Sequence, residues 1–177
     1  NQQYQSVTAA EDLLERLGFT VPRDVRLQLI DAFTTVGARA TLHLTDGIEA
    51  CLRALKDAGL RVGIICDVGM TSSSILREHL DKHGLLDVFD HWSFSDEVGH
   101  YKPSPVIFEH ALAGLGDVPP AHAAHVGDIR RTDVAGAKAM GMLAVRYTGV
   151  SDDETQLEPE GDFVIAHHGE LAAALGL

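Results

Sequence analysis

Residues 127–133 (GDIRRTD) place two carboxylates where a predicted strand gives way to a helix. The apolar segment 123–126 predicts the strand, and residues 132–140 predict the helix. Asp128 and Asp133 therefore share one loop, and their oxygens are the ligand type that Mg²⁺ prefers. The alternative is local, because aspartate also favours turns and helix caps.

Lys102 stands directly before Pro103. Proline disfavours a helical conformation of the residue that precedes it, so the ammonium can project from a loop into a site. A fixed ammonium neutralises phosphate oxygens or a carboxylate. An isolated Lys-Pro is more often a surface lysine before a helix, and Ser104 and Pro105 predict a helix start here.

Residues 66–71 (CDVGMT) form a third segment, in which a strand ends at Cys66 and the chain turns at Gly69. A helix is predicted from Thr71 onward. The backbone N–H groups of such a turn and helix start attract anions. The alternative is an ordinary strand–helix turn capped by Thr71 or Ser72.

Composition limits the partners of the protein. The 177 residues carry a formal net charge of −12, which disfavours nucleic acid and anionic membranes as partners. The chain has no apolar run of membrane-spanning length and no signal-peptide pattern, so we expect a soluble, cytoplasmic protein. The two cysteines, Cys51 and Cys66, are scattered and are expected to be reduced. His79 and His83 share a helical face without further metal ligands, which favours surface histidines.

Alternating strands and helices predict an α/β fold, a Rossmann-like three-layer parallel sheet with part of a helical cap. Ligands of such sheets bind at the carboxyl ends of the strands. Here these ends carry Cys66-Asp67, Ser95-Asp96 and Gly127-Asp128. The acidic segment 151–161 predicts a solvated loop. The predicted helices are 8–17, 23–40, 46–58, 71–83, one from 104, 132–140 and 169–175, and the predicted strands are 61–66, 92–95, 123–126, 143–147 and 162–165.

The three segments, in this order, resemble the haloacid dehalogenase-like hydrolase superfamily, and in particular its phosphoglycolate phosphatase-like branch with a helical cap. The resemblance covers the chain from about Leu42 to its end and is supported by KDAG at 56–59, SDEVG at 95–99 and DVAGA at 133–137. Residues 8–40 resemble the later part of the cap. The resemblance thus implies a partial helical cap at 1–41 and a hydrolase-like core at 42–177.

The family resemblance implies roles for five residues. Asp128 would be a Mg²⁺ ligand, and Asp133 would support the metal or hold Lys102. Lys102 would bridge the nucleophile and the phosphoryl oxygens. Cys66 and Asp67 occupy phosphate-binding positions where the family usually has Ser or Thr and often Asn. A thiol is a weaker donor than a hydroxyl, and an ionised Asp67 would repel phosphate.

The family also opens with a strand that ends in Asp-x-Asp and supplies the nucleophile, and the chain contains no such motif. The resemblance implies that this strand is central, between the strands that end at Cys66 and Val126. Without it, both edges would carry unpaired backbone groups, at about 1–3 kcal/mol each. We therefore expect an N-terminal segment or a second chain to complete the sheet, and the 177 residues alone to be inactive.

These inferences leave three functional hypotheses. The first is a Mg²⁺-dependent phosphatase acting on a small phosphorylated metabolite through an aspartyl-phosphate whose aspartate lies outside the chain. The second is a non-catalytic regulatory or assembly protein on the same scaffold, favoured by Cys66 and Asp67. The third is a 2-haloacid dehalogenase, whose chemistry needs no metal and which therefore fits Asp128 and Asp133 less well.

Overall fold

The structure, a computed structural model, describes residues 6–69, 71–155 and 159–177. The polar N-terminus, Met70 in the predicted strand–helix turn and residues 156–158 of the acidic loop lie outside this range. Among the described residues, no helix combines the length and apolar character needed to cross a membrane. The α-helices are α1 (Ser6–Arg16), α2 (Arg23–Thr35), α3 (Ile48–Asp57), α4 (Ser73–Lys82), α5 (Ser95–Val98), α6 (Pro105–Gly114), α7 (Ala135–Met140) and α8 (Leu171–Ala174). The strands are β1 (Gly63–Cys66), β2 (His91–Phe94), β3 (Ala124–Gly127), β4 (Leu143–Tyr147) and β5 (Phe163–Ile165).

All described strand pairs are parallel, which confirms the predicted α/β class. The strands form two separate sheets, β1-β2 and β3-β4-β5. Within the part of the chain that the structure describes, β1 and β3 each pair along one edge only. The carboxyl ends lie in register, with Cys66 opposite Phe94 and Gly127 opposite Arg146.

Helices cover both faces of the three-stranded sheet. Successive strand residues point to opposite faces, and Ala144 and Val145 of β4 do so here. Ala144 belongs to a core cluster with Phe108 of α6 and Ala137 of α7, against which Ile65 of β1 also packs. Val145 belongs to a second cluster with residues of α3 and α8. The apolar packing against Ile65 therefore links the two sheets without strand pairing.

The helical hairpin α1–α2 joins the rest of the protein through a 3₁₀ turn, Val36–Arg39, where a continuous helix to residue 40 was predicted. His79 of α4 and His83, which directly follows this helix, bind the connection. His79 Nε2 lies 3.1 Å from the carbonyl oxygen of Gly37, and His83 Nε2 lies 3.1 Å from that of Leu42. His79 is buried, so the prediction of a surface histidine is wrong at this position.

Replacing His79 by alanine should lower the free energy of unfolding by about 1–3 kcal/mol, because the buried carbonyl of Gly37 loses its donor. His83→Ala is the matched control, since its bond to Leu42 is open to solvent, where water replaces the donor. That variant should lose less than about 1 kcal/mol. Urea denaturation of the two variants checks the difference, and equal losses would contradict the assigned role of His79.

Candidate active site

Three loops meet at the carboxyl ends of β1 and β3. Lys102, on the loop before α6, places its Nζ 2.7 Å from Asp133 Oδ1 and 3.5 Å from the carbonyl oxygen of Ile65. The lysine thus joins the end of β1 to the turn that follows β3. The side chains of this buried ion pair are 12% and 5% exposed. The structure therefore brings Lys102, Asp133 and Asp67 together, as the sequence segments suggested. The adjoining cleft has a volume of about 300 Å³ and is lined by Asp67, Tyr101, Lys102, Pro103, Arg131 and Thr132.

Asp133 lies in a single π-helical turn, Arg130–Val134, that precedes α7, where an α-helix from residue 132 was predicted. His125 of β3 donates its Nε2–H to Asp133 Oδ1 over 3.0 Å. The backbone N–H of Ile129 donates to Oδ2 over 3.1 Å. Both carboxylate oxygens are therefore engaged by protein groups, an arrangement that favours holding Lys102 over binding a metal.

The charges around Asp133 explain its ionisation. Burial alone would raise the pKa of this carboxyl, but the hydrogen bond from His125 and the charge of Lys102 lower it well below its ordinary value. Burial lowers the pKa of His125, although the bond to Asp133 opposes that effect. Asp133 is therefore ionised at neutral pH, with His125 as a supporting donor.

Asp128 directly follows β3 and is half-buried. Among the described residues it has no hydrogen-bond or ion-pair partner, in contrast to Asp133. A carboxylate of this kind fits one ligand position of Mg²⁺, an ion that commonly takes one or two carboxylates and completes its shell with water and substrate oxygens. The described residues contain no group of three or more His, Cys, Asp or Glu arranged to hold a metal ion. Asp128 therefore offers a single protein ligand.

Asp67 connects the end of β1 to the lysine loop. Its Oδ1 accepts the backbone N–H of Lys102 over 2.9 Å. Burial raises the pKa of Asp67, and the bond from the Lys102 N–H and the charge of Lys102 oppose this rise. One oxygen of this carboxyl thus already holds the loop that carries the site lysine.

Cys66 ends β1 and is partly buried. Its Sγ lies 3.8 Å from the carbonyl oxygen of Asp67, the distance of a weak thiol hydrogen bond. Burial raises the pKa of this thiol more than the charge of Lys102 lowers it. Cys66 is therefore a neutral thiol at neutral pH, not an activated nucleophile.

The segment after β2 occupies part of the predicted anion cradle. The Ser95 hydroxyl accepts the N–H of Val68 over 2.7 Å, and Asp96 Oδ2 accepts the N–H of Ser73 over 3.0 Å. The N–H groups of Val68 in the turn and of Ser73 at the start of α4 therefore already donate to protein groups. The position of Ser95 and Asp96 at a strand end indicated their closeness to the site but not this role.

The described part of the acidic loop is mostly exposed, as predicted, but some of its carboxylates also bind groups of the core. Arg146 of β4 is buried, and it donates to Asp152 and to Glu160, the latter over 2.7 Å. Asp153 accepts the backbone N–H of Arg130 over 2.7 Å. The loop therefore supports the turn that carries Asp133.

Comparison with known proteins shows the family. Residues 4–141 match the family described as haloacid dehalogenase-like hydrolase. The chain is 36% identical over 110 residues to the haloacid dehalogenase-like hydrolase domain-containing protein 3 of Bos taurus, which covers 62% of this chain and 42% of that protein. It is 35% identical over 138 residues to a glyceraldehyde 3-phosphate phosphatase of Pyrococcus furiosus, with 76% and 55% covered.

A solved structure agrees with these matches. The crystal structure of a phosphatase of this superfamily from Thermococcus onnurineus superposes with a TM-score of 0.65 at 26% identity, over 96% of this chain and 87% of that one. The protein belongs to the haloacid dehalogenase-like hydrolases, which confirms the predicted superfamily. The chain spans about half the length of the curated relatives it matches.

Replacing Asp133 by alanine should lower the free energy of unfolding by about 3–5 kcal/mol, because the buried Lys102 charge loses its partner. Glu49→Ala is the control, since it removes an exposed ion pair with Arg53 and should cost less than about 0.5 kcal/mol. Chemical denaturation of both variants measures the two losses. A loss for Asp133→Ala no larger than that of the control would contradict the bridging role of the pair.

Proposed function

We propose that the complete protein is a Mg²⁺-dependent phosphatase that acts on a small phosphorylated metabolite. The observation that carries this proposal is the buried Lys102 ammonium, which lines the cleft and is held by Asp133, a residue of the turn that follows Asp128. Phosphoryl transfer depends mainly on positioning and on neutralising charge, and the cleft lining supplies two cations, Lys102 and Arg131, in a protein of net charge −12. The Pyrococcus furiosus relative, described as a phosphatase, supports the same reaction class.

Each site residue has a separate role in this proposal. Lys102 binds the phosphoryl oxygens and the attacking carboxylate, and Asp133 fixes its ammonium through one oxygen. Asp128 is the metal ligand of this chain, and a bound Mg²⁺ would neutralise phosphate charge and orient the phosphoryl group. Asp67 holds the lysine loop, and the Cys66 thiol donates to the transferred phosphoryl group.

The nucleophilic aspartate comes, in this proposal, from a strand that pairs with β1 and β3. Both strands have one edge that no described strand occupies, and both end at the cleft. A strand inserted between them would satisfy their edge N–H and C=O groups and bring its own carboxyl end beside Lys102. Another segment of the same protein or a second chain can supply it.

A non-catalytic regulatory or assembly role is the second candidate. The observation in its favour is the pair Cys66 and Asp67, which replaces a strong donor by a thiol and commits a carboxylate oxygen to the Lys102 N–H. A protein of this kind would bind Mg²⁺ or phosphate without hydrolysing esters. Turnover assays on the complete protein separate the two candidates.

Asp128→Asn should abolish the Mg²⁺-dependent hydrolysis of p-nitrophenyl phosphate by the complete protein. The substitution should leave stability unchanged, because the Asp128 carboxylate has no partner among the described residues. Removing Mg²⁺ from the wild type with EDTA should give the same loss. Phosphate release with and without excess Mg²⁺ measures both effects. Undiminished turnover in the variant would reject the metal assignment.

Cys66→Ser should raise kcat/KM for p-nitrophenyl phosphate severalfold, because a hydroxyl donates a stronger hydrogen bond than a thiol. Cys51→Ser is the matched control, since Cys51 lies on α3, away from the cleft, and should change nothing. Steady-state kinetics of both variants test the phosphate-binding role of position 66. An unchanged or lower kcat/KM for Cys66→Ser would contradict that role.

A further inference from the structure

Arg131 is a cation of the cleft wall that the proposed chemistry does not use. It lines the cleft beside Lys102 and Tyr101, and it is exposed. Within the described part of the chain, its guanidinium has no hydrogen-bond or ion-pair partner. Its neighbour Arg130 differs, because Arg130 Nε donates to the carbonyl oxygen of Pro159 over 3.2 Å. Arg130 therefore contacts the acidic loop, whereas Arg131 lies in the lining of the cleft.

Arg131 is the cation of the cleft lining that forms no ion pair among the described residues. The ammonium of Lys102 is balanced by Asp133 at 2.7 Å, and Asp67 lies on the same cleft wall. The guanidinium of Arg131 makes no direct contact with a carboxylate of the described residues and is therefore open to an anionic ligand. A guanidinium binds carboxylate and phosphate groups through two parallel hydrogen bonds, which gives it specificity as well as affinity.

We propose that Arg131 recognises a second oxyanion group on the substrate, one that is not transferred. This inference rests on the proposed phosphatase function and names its substrate class: a small phosphate monoester that also carries a carboxylate or a second phosphate. The cleft volume of about 300 Å³ lies at the lower end of ligand pockets and fits a metabolite of that size. In this arrangement Lys102 serves the reacting phosphoryl group and Arg131 serves the distal anion.

The experiment compares two matched substrate pairs with the complete protein. 3-Phosphoglycerate and glycerol 3-phosphate differ by a carboxylate, and ribose 1,5-bisphosphate and ribose 5-phosphate differ by a phosphate. Arg131→Gln should raise KM by about 10- to 100-fold for the doubly anionic member of at least one pair, and by less than about twofold for its partner. Whichever pair responds identifies the distal group, and kcat should change little for all four.

Arg130→Gln is the matched control, because it removes the same charge from the same turn without touching the cleft lining. It should not change the preference for doubly anionic substrates. Equal KM increases for both members of each pair, or the same shift in the Arg130 variant, would overturn the inference. If the wild type hydrolyses none of the four compounds, turnover of p-nitrophenyl phosphate decides whether the phosphatase proposal stands. The affinities of the wild type and of Arg131→Gln for the four compounds, measured by calorimetry, then test the inference separately. A loss of affinity for the doubly anionic compounds alone supports anion recognition by Arg131, and the absence of such a loss overturns it.

Discussion

The buried ion pair between Lys102 and Asp133 is the interaction on which the site depends. It joins loops of two sheets that share no strand pairing among the described residues, and the same ammonium reaches the carbonyl of Ile65 at the end of β1. Burying two charges is costly unless their remaining hydrogen-bonding capacity is met. Here His125 and the backbone N–H of Ile129 donate the remaining hydrogen bonds to the Asp133 carboxylate. The site lysine is therefore fixed by groups that come from both sides of the fold.

The acidic residues of the site differ in how many of their carboxylate oxygens are already bound by protein groups. Asp133 is committed to Lys102, one oxygen of Asp67 to the Lys102 backbone, and one oxygen of Asp96 to the start of α4. Asp128 is the carboxylate that the described residues leave without a partner. The 177 residues thus supply charge neutralisation and one ligand for a hard cation. We assign the nucleophile to none of these carboxylates, and instead to a strand alongside β1 and β3.

Much of this arrangement could be predicted from the sequence. Apolar periodicity located the strands to within about two residues, since buried parallel strands are nearly all apolar. The rule for strand ends placed Asp67, Asp96 and Asp128 at one edge, whereas Lys102 was singled out only by the proline that follows it. The π-helical turn at Arg130–Val134 could not be predicted, because its sequence reads equally well as an α-helix start.

Other features depended on contacts between distant parts of the chain. His79 was predicted to be exposed because helical periodicity does not reveal that the connection at Gly37 covers it. The acidic loop is exposed as predicted, but its ion pairs with Arg146 could not be predicted, because nothing local indicates the buried arginine beneath it. His125 was missed as a site residue because it lies within a strand, and only the fold brings it to Asp133.

The most direct test of the account is to locate the phosphoenzyme. The complete protein would be incubated with Mg²⁺ and a ³²P-labelled substrate, quenched with acid, and digested for peptide mapping. The account predicts an acyl phosphate, labile to hydroxylamine, on an aspartate outside residues 1–177. Label on Asp67, Asp128 or Asp133, or turnover without any acyl phosphate, would contradict it.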